Sequence, residues 1–82
     1  MKPVRYTADA AKSLKRHGNV APRVMKAINE YAADPLAHAN RIKRLVGSTA
    51  NRLSVSDFRV IFEETEDGII VTKIGPRGNV YD

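Results

Sequence analysis

Three arginines in the second half of the chain have a type and spacing suited to binding a phosphate. Arg52 and Arg59 lie in segments where apolar and polar residues alternate, and Arg77 lies in the Gly- and Pro-rich segment 75–79, close to Tyr81. The planar guanidinium of arginine donates two parallel hydrogen bonds to a phosphate and keeps its charge at any working pH. Phosphate binding is therefore one hypothesis for these side chains.

Composition excludes several other kinds of site. The chain has no cysteine, which rules out disulfides, thiolate nucleophiles and cysteine-ligated zinc. Its two histidines, His17 and His38, are 21 positions apart, so we expect neither a metal site nor a cofactor. With 82 residues there is room for one small core, and we expect a single domain over residues 1–82 rather than a two-domain enzyme.

The charge distribution indicates an anionic partner. The formal net charge is +5, and residues 1–52 hold 11 of the 14 basic residues but only 3 of the 9 acidic ones. A cationic half of this kind fits a nucleic acid, an anionic membrane surface or an acidic protein, and charge alone does not choose among them. No segment has the roughly 18 apolar residues of a membrane span or the apolar run of a signal peptide, so we expect a cytoplasmic protein.

The first part of the chain predicts a strand followed by a helix. Residues 3–7 are rich in β-branched and aromatic residues and suit a short strand at an edge or terminus of the sheet. Thr7 is then the expected N-cap of a helix, and Gly18 suits a left-handed conformation just after its end. The expected apolar stripe of this helix consists of Ala8, Ala11 and Leu14.

A second helix is predicted after a very short connection. Asn19 is its expected N-cap, Pro22 suits its first turn, and Asp34-Pro35 ends it. The expected core stripe consists of Val20, Val24, Ala27, Ile28, Tyr31 and Ala32. The short connection predicts an antiparallel helical hairpin.

The rest of the chain predicts a sheet. Residues 36–50 have a mixed pattern, and we interpret them as a loop. The apolar period then changes to two, which is typical of strands. Three strands are expected within residues 52–56, 58–63 and 69–74, joined by turns at 56–57 and 64–68. The predicted fold is α+β in the order β-α-α-β-β-β, with the N-terminal strand and the helical hairpin packed on one face of an antiparallel sheet.

Strand alternation predicts where two of the arginines point. If Leu53, Phe58 and Val60 face the helices, Arg52 and Arg59 share the opposite face, which the helices do not cover. Spacing alone still favours a simpler interpretation, in which these arginines are solvated or pair with nearby acidic residues. The candidates for such pairing are Asp57 and Glu63.

Two segments of the chain resemble the RelE/ParE superfamily of type II toxin–antitoxin toxins. Residues 52–62, R-L-S-V-S-D-F-R-V-I-F, are similar to the family strand R-L-R-V-G-D-Y-R-V-I-Y. Residues 74–81, I-G-P-R-G-N-V-Y, are similar to the family ending G-H-R-x-x-V-Y. The strand, the helical hairpin, the Asp34-Pro35 break and the segment 42–45 also resemble the family, so the resemblance spans nearly the whole chain.

The resemblance implies a RelE-like toxin. Such toxins are metal-independent endoribonucleases that cut mRNA in the ribosomal A site and are held inactive by a cognate antitoxin, here expected to be small and acidic. The free toxin is expected to be a monomer that forms hetero-oligomers with its antitoxin. The implied partners are therefore an antitoxin, mRNA and ribosomal RNA, with no membrane.

The resemblance also implies a role for each candidate catalytic residue. Arg59 and Arg77 match family arginines and would neutralise the charge that develops on the phosphorane. Tyr81 matches the C-terminal tyrosine and is the candidate base, because surrounding cations lower the pKa of a phenol from its usual value near 10. Arg52 lies at or next to the place of family lysines and would stabilise charge near the leaving oxygen.

Departures from the RelE pattern leave two alternatives. Ser54 and Ser56 occupy positions where relatives often have basic residues, and Pro76 stands where many have histidine. ParE-like members of the same fold act on DNA gyrase, so gyrase inhibition is one alternative. A degenerate member that only binds its antitoxin is the other.

Further basic residues form a candidate footprint for ribosomal RNA, although solvated charges explain them more simply. They are Lys12, Lys15, Arg16, Arg41, Lys43, Arg44 and Lys73. We expect His17 to interact with carbonyl groups at a helix end, and Tyr6 and Tyr31 to pack in the core. We expect the acidic residues within 63–67 to form a solvated turn.

Overall fold

The computed structural model describes residues 2–45 and 47–78. The helices are α1 (Ala8–Arg16) and α2 (Ala21–Ala33), and a short 3-10 helix covers Ala39–Arg41. The strands are β1 (Val4–Tyr6), β2 (Ile42–Arg44), β3 (Asn51–Val55), β4 (Phe58–Thr65) and β5 (Gly68–Pro76). Both α-helices lie between β1 and β2 in the sequence.

The five strands form one mixed sheet in the order β1-β5-β4-β3-β2. The pairs from β5 to β2 are antiparallel, whereas β1 pairs with β5 in parallel. The α+β fold and the three C-terminal strands are confirmed. The expectation of an antiparallel sheet is wrong for β1. Two parallel neighbouring strands must be joined by a long connection, and the connection from β1 to β5 includes nearly the whole chain.

Residues 42–44 form a strand where we expect a loop. Ile42 pairs with Leu53 and packs against the core, and Lys43 pairs with Arg52. Three residues are too few to show an alternating pattern, and a strand this short forms only because it is hydrogen-bonded to its neighbour. The expectation of a loop therefore fails at β2.

The core lies between the helices and one face of the sheet. The predicted stripe of α2 is confirmed, since all six of its residues are buried. The sheet contributes Leu53, Val55, Val60, Phe62, Ile69, Val71 and Ile74. Full burial of each large apolar side chain stabilises the fold by roughly 1.5–3 kcal/mol, so this layer is the main source of stability.

Thr7 caps α1 as predicted and also fixes the helix on the sheet. Its hydroxyl oxygen accepts the Ala10 N–H at 3.2 Å and donates to the Thr72 carbonyl at 3.2 Å. The Thr7 N–H donates to the Val71 carbonyl at 3.0 Å. These bonds to β5 set the rotation of α1 about its axis.

The predicted stripe of α1 is partly wrong. Ala10 is fully buried, whereas Ala8 and Ala11 are exposed, and Leu14 is half-buried against the core. Alanine is stable on either face of a helix, so the spacing of alanines does not determine which face is buried. The start of α1, anchored at Thr7, determines it instead.

The connection between the helices is short, as predicted, but its caps differ. Gly18 is not in a positive-φ conformation, and His17 is the C-cap of α1. Val20, rather than Asn19, is the N-cap of α2 and makes no side-chain capping bond. The His17 carbonyl accepts the N–H groups of Val20 at 2.9 Å and Ala21 at 3.0 Å, so the backbone itself closes the turn.

The β4–β5 turn contains Glu66 and Asp67, within the predicted segment. Gly68 is the first residue of β5 and has φ +152°. A Cβ at this position would lie 2.6 Å from the Pro3 carbonyl oxygen, which accepts the Ile69 N–H at 2.9 Å. Glycine is therefore required by the close approach of the chain beside β1 as well as by its φ.

The acidic residues around the β4–β5 turn are not all solvated. The Glu64 side chain, at the end of β4, binds to Tyr31 near the end of α2. Its carboxylate accepts the Tyr31 hydroxyl at 2.6 Å and the Lys2 ammonium at 2.8 Å. Burial alone would raise the pKa of Glu64, but these two hydrogen bonds and the Lys2 charge lower it below its usual value. Burial and the bond to Glu64 raise the pKa of Tyr31 to about 12.

Both tyrosines expected to pack do so. Tyr31 is buried, with its ring 5.4 Å from that of Phe62. Tyr6 packs against the core, and its buried hydroxyl has no hydrogen-bond partner within the described residues. Burial raises the pKa of Tyr6.

Candidate functional site

The face of the sheet opposite the helices carries the predicted arginines of β3 and β4. Leu53 and Val60 are buried in the core, so their neighbours Arg52 and Arg59 extend to the other face. Arg59 pairs with Ser54, two residues from Arg52. The two arginines are therefore diagonal neighbours, roughly 7–8 Å apart at the backbone.

A row of basic residues crosses this face. Lys43, Arg52, Ile61 and Lys73 lie opposite one another on β2, β3, β4 and β5. Ile61 is only 3% exposed although it lies outside the core cluster, and Arg52 and Lys73 flank it in the register. The aliphatic stems of such long side chains cover apolar surface while their charges remain in water.

A bulge in β5 keeps Lys73 on the open face. Ile61 pairs with Lys73 and Phe62 with Val71, which leaves Thr72 as an extra residue. Both Val71 and Ile74 are therefore buried in the core. An uninterrupted strand would place residues three apart on opposite faces.

The turn between β3 and β4 positions the Arg59 side chain. Ser56 and Asp57 form this turn, as predicted, and Ser56 has φ 52°, the one positive φ at a non-glycine within residues 2–45 and 47–78. The Arg59 Nη1 donates to the Phe58 carbonyl at 3.1 Å and to the Ser56 carbonyl at 3.4 Å. The guanidinium therefore bends back towards the turn.

Arg77 lies at the same end of the sheet as Arg59. Its N–H donates to the Asp57 carbonyl at 2.6 Å, which continues the β4–β5 pairing beyond Pro76. Arg77 is exposed. The backbone positions of Arg59 and Arg77 are therefore close together beside the β3–β4 turn. The candidate base Tyr81 lies outside the described residues.

A second basic surface lies between α1 and the end of β5. A groove of about 420 Å³ there is lined by Lys12, Arg16 and Lys73, with Asp9 as an acidic lining residue. Ser13, His17 and residues 74–76 complete the lining. The structure thus brings three residues of the predicted RNA footprint together.

The other footprint residues lie elsewhere. Lys15 is exposed on α1 but does not line the groove. Arg41, Lys43 and Arg44 lie at or next to β2, the edge strand at the other end of the strand order, where Arg41 forms an ion pair with Glu30 at 3.7 Å. The footprint is therefore divided between two surfaces.

His17 and Arg23 make contacts that the sequence analysis does not predict. We expect His17 to interact with carbonyl groups, whereas the structure places its ring edge-on against Phe58, with centroids 4.9 Å apart. Arg23, in the first turn of α2, donates from Nη1 to the Ser56 hydroxyl at 3.2 Å. Sequence patterns carry no signal for this contact, because it joins residues 33 positions apart.

Neither a metal centre nor a membrane span is found in the part of the chain that the structure describes. No group of three or more histidine, aspartate or glutamate side chains there is arranged to hold a metal ion. No helix within residues 2–45 and 47–78 is long and apolar enough to cross a membrane.

Over residues 4–81, the sequence matches the family described as ParE toxin of type II toxin-antitoxin system, parDE. No curated protein matches this sequence. The fold is similar to that of a chain of the archaeal RelE–RelB complex from Pyrococcus horikoshii OT3, at 20% identity and a TM-score of 0.75. That match covers 96% of this chain and 98% of the other.

Two other solved structures have a similar fold. A mutant of YafQ from E. coli matches at 13% identity and a TM-score of 0.74, with 100% of both chains covered. A chain of the toxin–antitoxin complex RelBE2 from Mycobacterium tuberculosis matches at 18% identity and a TM-score of 0.62, covering 93% of this chain and 98% of the other. At these identities the likeness establishes a shared fold.

Proposed function

Because the chain belongs to the ParE toxin family of type II toxin–antitoxin systems, we propose that it is a RelE-like toxin that cleaves mRNA on the ribosome. In this proposal the protein is a metal-independent endoribonuclease, and a small acidic antitoxin neutralises it. The observation that carries the proposal is the shared location of Arg52, Arg59 and Arg77 at the face and end of the sheet that the helices leave open.

The reaction we infer is attack of an RNA 2′-hydroxyl on the adjacent phosphate. The bond from the 2′ oxygen to phosphorus forms, the bond to the 5′ oxygen breaks, and a 2′,3′-cyclic phosphate results. Tyr81 accepts the 2′-hydroxyl proton, and Arg59 and Arg77 neutralise the charge on the phosphorane. Arg52 stabilises the leaving 5′ oxygen, which takes its proton from water.

The remaining basic residues dock the toxin. Lys12, Arg16 and Lys73 in the groove, and the cations at the β2 edge of the sheet, fit the phosphate backbone of ribosomal RNA. The same cations fit an acidic antitoxin. The RelE–RelB and RelBE2 structures are complexes, which supports the proposal that this chain forms hetero-oligomers with its antitoxin. We propose that the free chain is a monomer.

The test is induced expression with parallel measurements of growth, mRNA integrity and DNA breaks. We expect growth arrest with cleaved mRNA and intact DNA. Arg59→Ala removes the charge that neutralises the phosphorane, so mRNA cleavage falls by about 100-fold or more. Lys26→Ala is the matched control, because Lys26 is an exposed cation on α2 outside the proposed site, and it retains wild-type activity.

Gyrase inhibition is the second candidate, and the match to the ParE toxin family favours it. It predicts DNA breaks with uncut mRNA in the same experiment, and that result would replace the present proposal. Expression that is harmless, with no effect of Arg77→Ala, would indicate a module that only binds its antitoxin.

A further inference from the structure

The two residues of the β3–β4 turn make hydrogen bonds to three arginines. The Ser56 carbonyl accepts from the Arg59 guanidinium at 3.4 Å, and the Ser56 hydroxyl accepts from the Arg23 guanidinium at 3.2 Å. The Asp57 carbonyl accepts the backbone N–H of Arg77 at 2.6 Å. The turn thus binds the guanidinium groups of Arg23 and Arg59 and the backbone of Arg77.

The backbone of this turn is unusual. Ser56 has φ 52°, and within residues 2–45 and 47–78 the other residues with positive φ are all glycines. The two-residue hairpin that joins Val55 to Phe58 accounts for this conformation, because such turns need a positive φ at their first central residue. At Ser56, the left-handed backbone accompanies a carbonyl and a hydroxyl that each bind a different guanidinium.

The charge of the cluster calls for an anion. Arg23 and Arg77 are exposed and Arg59 is half-buried, and the carboxylate of Asp57 is the acidic group on the turn itself. The Arg23 and Arg59 guanidinium groups are both held on Ser56, and a bound anion interacts favourably with both charges. A guanidinium fork matches a phosphate, and the two forks held on Ser56 match neighbouring phosphates of one strand.

We propose that Arg23 is a further RNA-binding residue, which contacts a backbone phosphate next to the one that Arg59 and Arg77 contact. The inference rests on the proposed function, because it takes the occupant of the cluster to be the RNA strand that is cut. Arg23 supplies charge to the site from α2, across the turn, and the Ser56 hydroxyl holds its guanidinium there. Arg23 does not take part in proton transfer.

The experiment measures binding of the purified toxin to ribosomes programmed with an mRNA that carries 2′-O-methyl groups at the A site. Without a free 2′-hydroxyl this message binds but is not cut, so affinity is separated from cleavage. We expect Arg23→Ala to weaken binding about tenfold, the effect of losing one charge-assisted contact. We also expect the slope of log affinity against log salt to become shallower by about 0.7, the value for one phosphate on a single strand.

Three variants are the controls. Lys26→Ala removes an exposed cation from the same helix and leaves affinity and salt slope unchanged. Arg23→Lys restores the charge and recovers the salt slope, which a purely structural role of the Ser56 contact would not predict. Arg59→Ala weakens binding, and thermal unfolding of each variant verifies that it is folded.

The outcomes separate this inference from the proposed function. If Arg59→Ala weakens binding while folded Arg23→Ala does not, the inference is overturned and the proposed function stands. If neither variant alters binding, the inference is overturned, and cleavage of an unmodified message by the wild-type toxin decides the proposed function separately. If Arg23→Ala weakens binding to an oligoglutamate peptide but not to programmed ribosomes, the turn is a site for an acidic protein segment, which also overturns the inference.

Discussion

Glu64 links three parts of the molecule through one carboxylate. Its two oxygens bond to the Tyr31 hydroxyl on α2 and to the Lys2 ammonium near the start of the chain, and Lys2 also donates to the Thr65 carbonyl at 3.0 Å. Sequence patterns predict a solvated acidic turn here, since Glu64 stands among other acidic residues. Its partners lie 33 and 62 positions away, beyond the reach of any local pattern.

Loss of the Glu64 charge destabilises the fold in a pH-dependent way. Because the folded-state pKa of Glu64 is lowered, its contribution is present above the unfolded value near 4.5 and disappears as pH falls through the folded value. We expect Glu64→Gln to lower the free energy of unfolding by about 1–2 kcal/mol at pH 7 and by much less at pH 3. Urea unfolding at both pH values measures the difference.

The matched control for this prediction is Glu66→Gln, since Glu66 is an exposed acidic residue in the same turn. It leaves the free energy of unfolding nearly unchanged at both pH values. A Glu64→Gln effect of the same size at pH 3 as at pH 7 would contradict the role assigned to the carboxylate.

At alkaline pH, the neutral Tyr31 phenol also stabilises the fold, and this contribution to the free energy of unfolding is lost as pH rises from about 10 towards 12.

Among the elements, α2 and the three C-terminal strands follow from the sequence because their apolar periods are long and clear. β2 does not follow, since its three residues depend on pairing with β3. The parallel pairing of β1 depends on β5, which is distant from it in the sequence, and the extra residue at Thr72 depends on the register between β5 and β4. Elements stabilised by their own pattern were thus predictable, and those stabilised by a partner were not.

At the junction of β1 and β5, we predict that replacing Gly68 lowers the stability of the fold. A Cβ there would meet the Pro3 carbonyl at 2.6 Å in addition to the strain of a positive φ. We expect Gly68→Ala to lower the free energy of unfolding by about 2–3 kcal/mol, measured by urea unfolding. In Gly18→Ala, the new Cβ meets nothing closer than 3.8 Å, and stability stays within about 1 kcal/mol of wild type. Equal effects of the two substitutions would contradict this account of the junction.

At the scale of the whole molecule, the fold brings together charges that the sequence separates. The excess of basic residues lies in residues 1–52, whereas Arg59 and Arg77 belong to the net acidic remainder. Alternation along β3 and β4 predicts the shared face of Arg52 and Arg59, because those strands pair as consecutive neighbours. The contribution of Arg23 was not predictable, since it depends on how α2 packs over the β3–β4 turn.

The division of the basic surface has a consequence for the whole molecule. Lys73 lines the groove beside α1 and also begins the row of basic residues across the open face, and β2 lies at the other end of that row. A polyanion that follows the open face from one side to the other therefore passes Lys73, Arg52 and Lys43 in turn. In the proposed function, an RNA strand would follow this row.

Cleavage of mRNA on purified ribosomes tests the central claim most directly. The toxin is added to ribosomes programmed with either an unmodified message or one with 2′-O-methyl groups at the A site. We expect the unmodified message to be cut, with a 2′,3′-cyclic phosphate on the upstream fragment, and the methylated message to stay intact. An unmodified message left intact by ribosome-bound toxin, or a methylated message that is cut, would contradict the account.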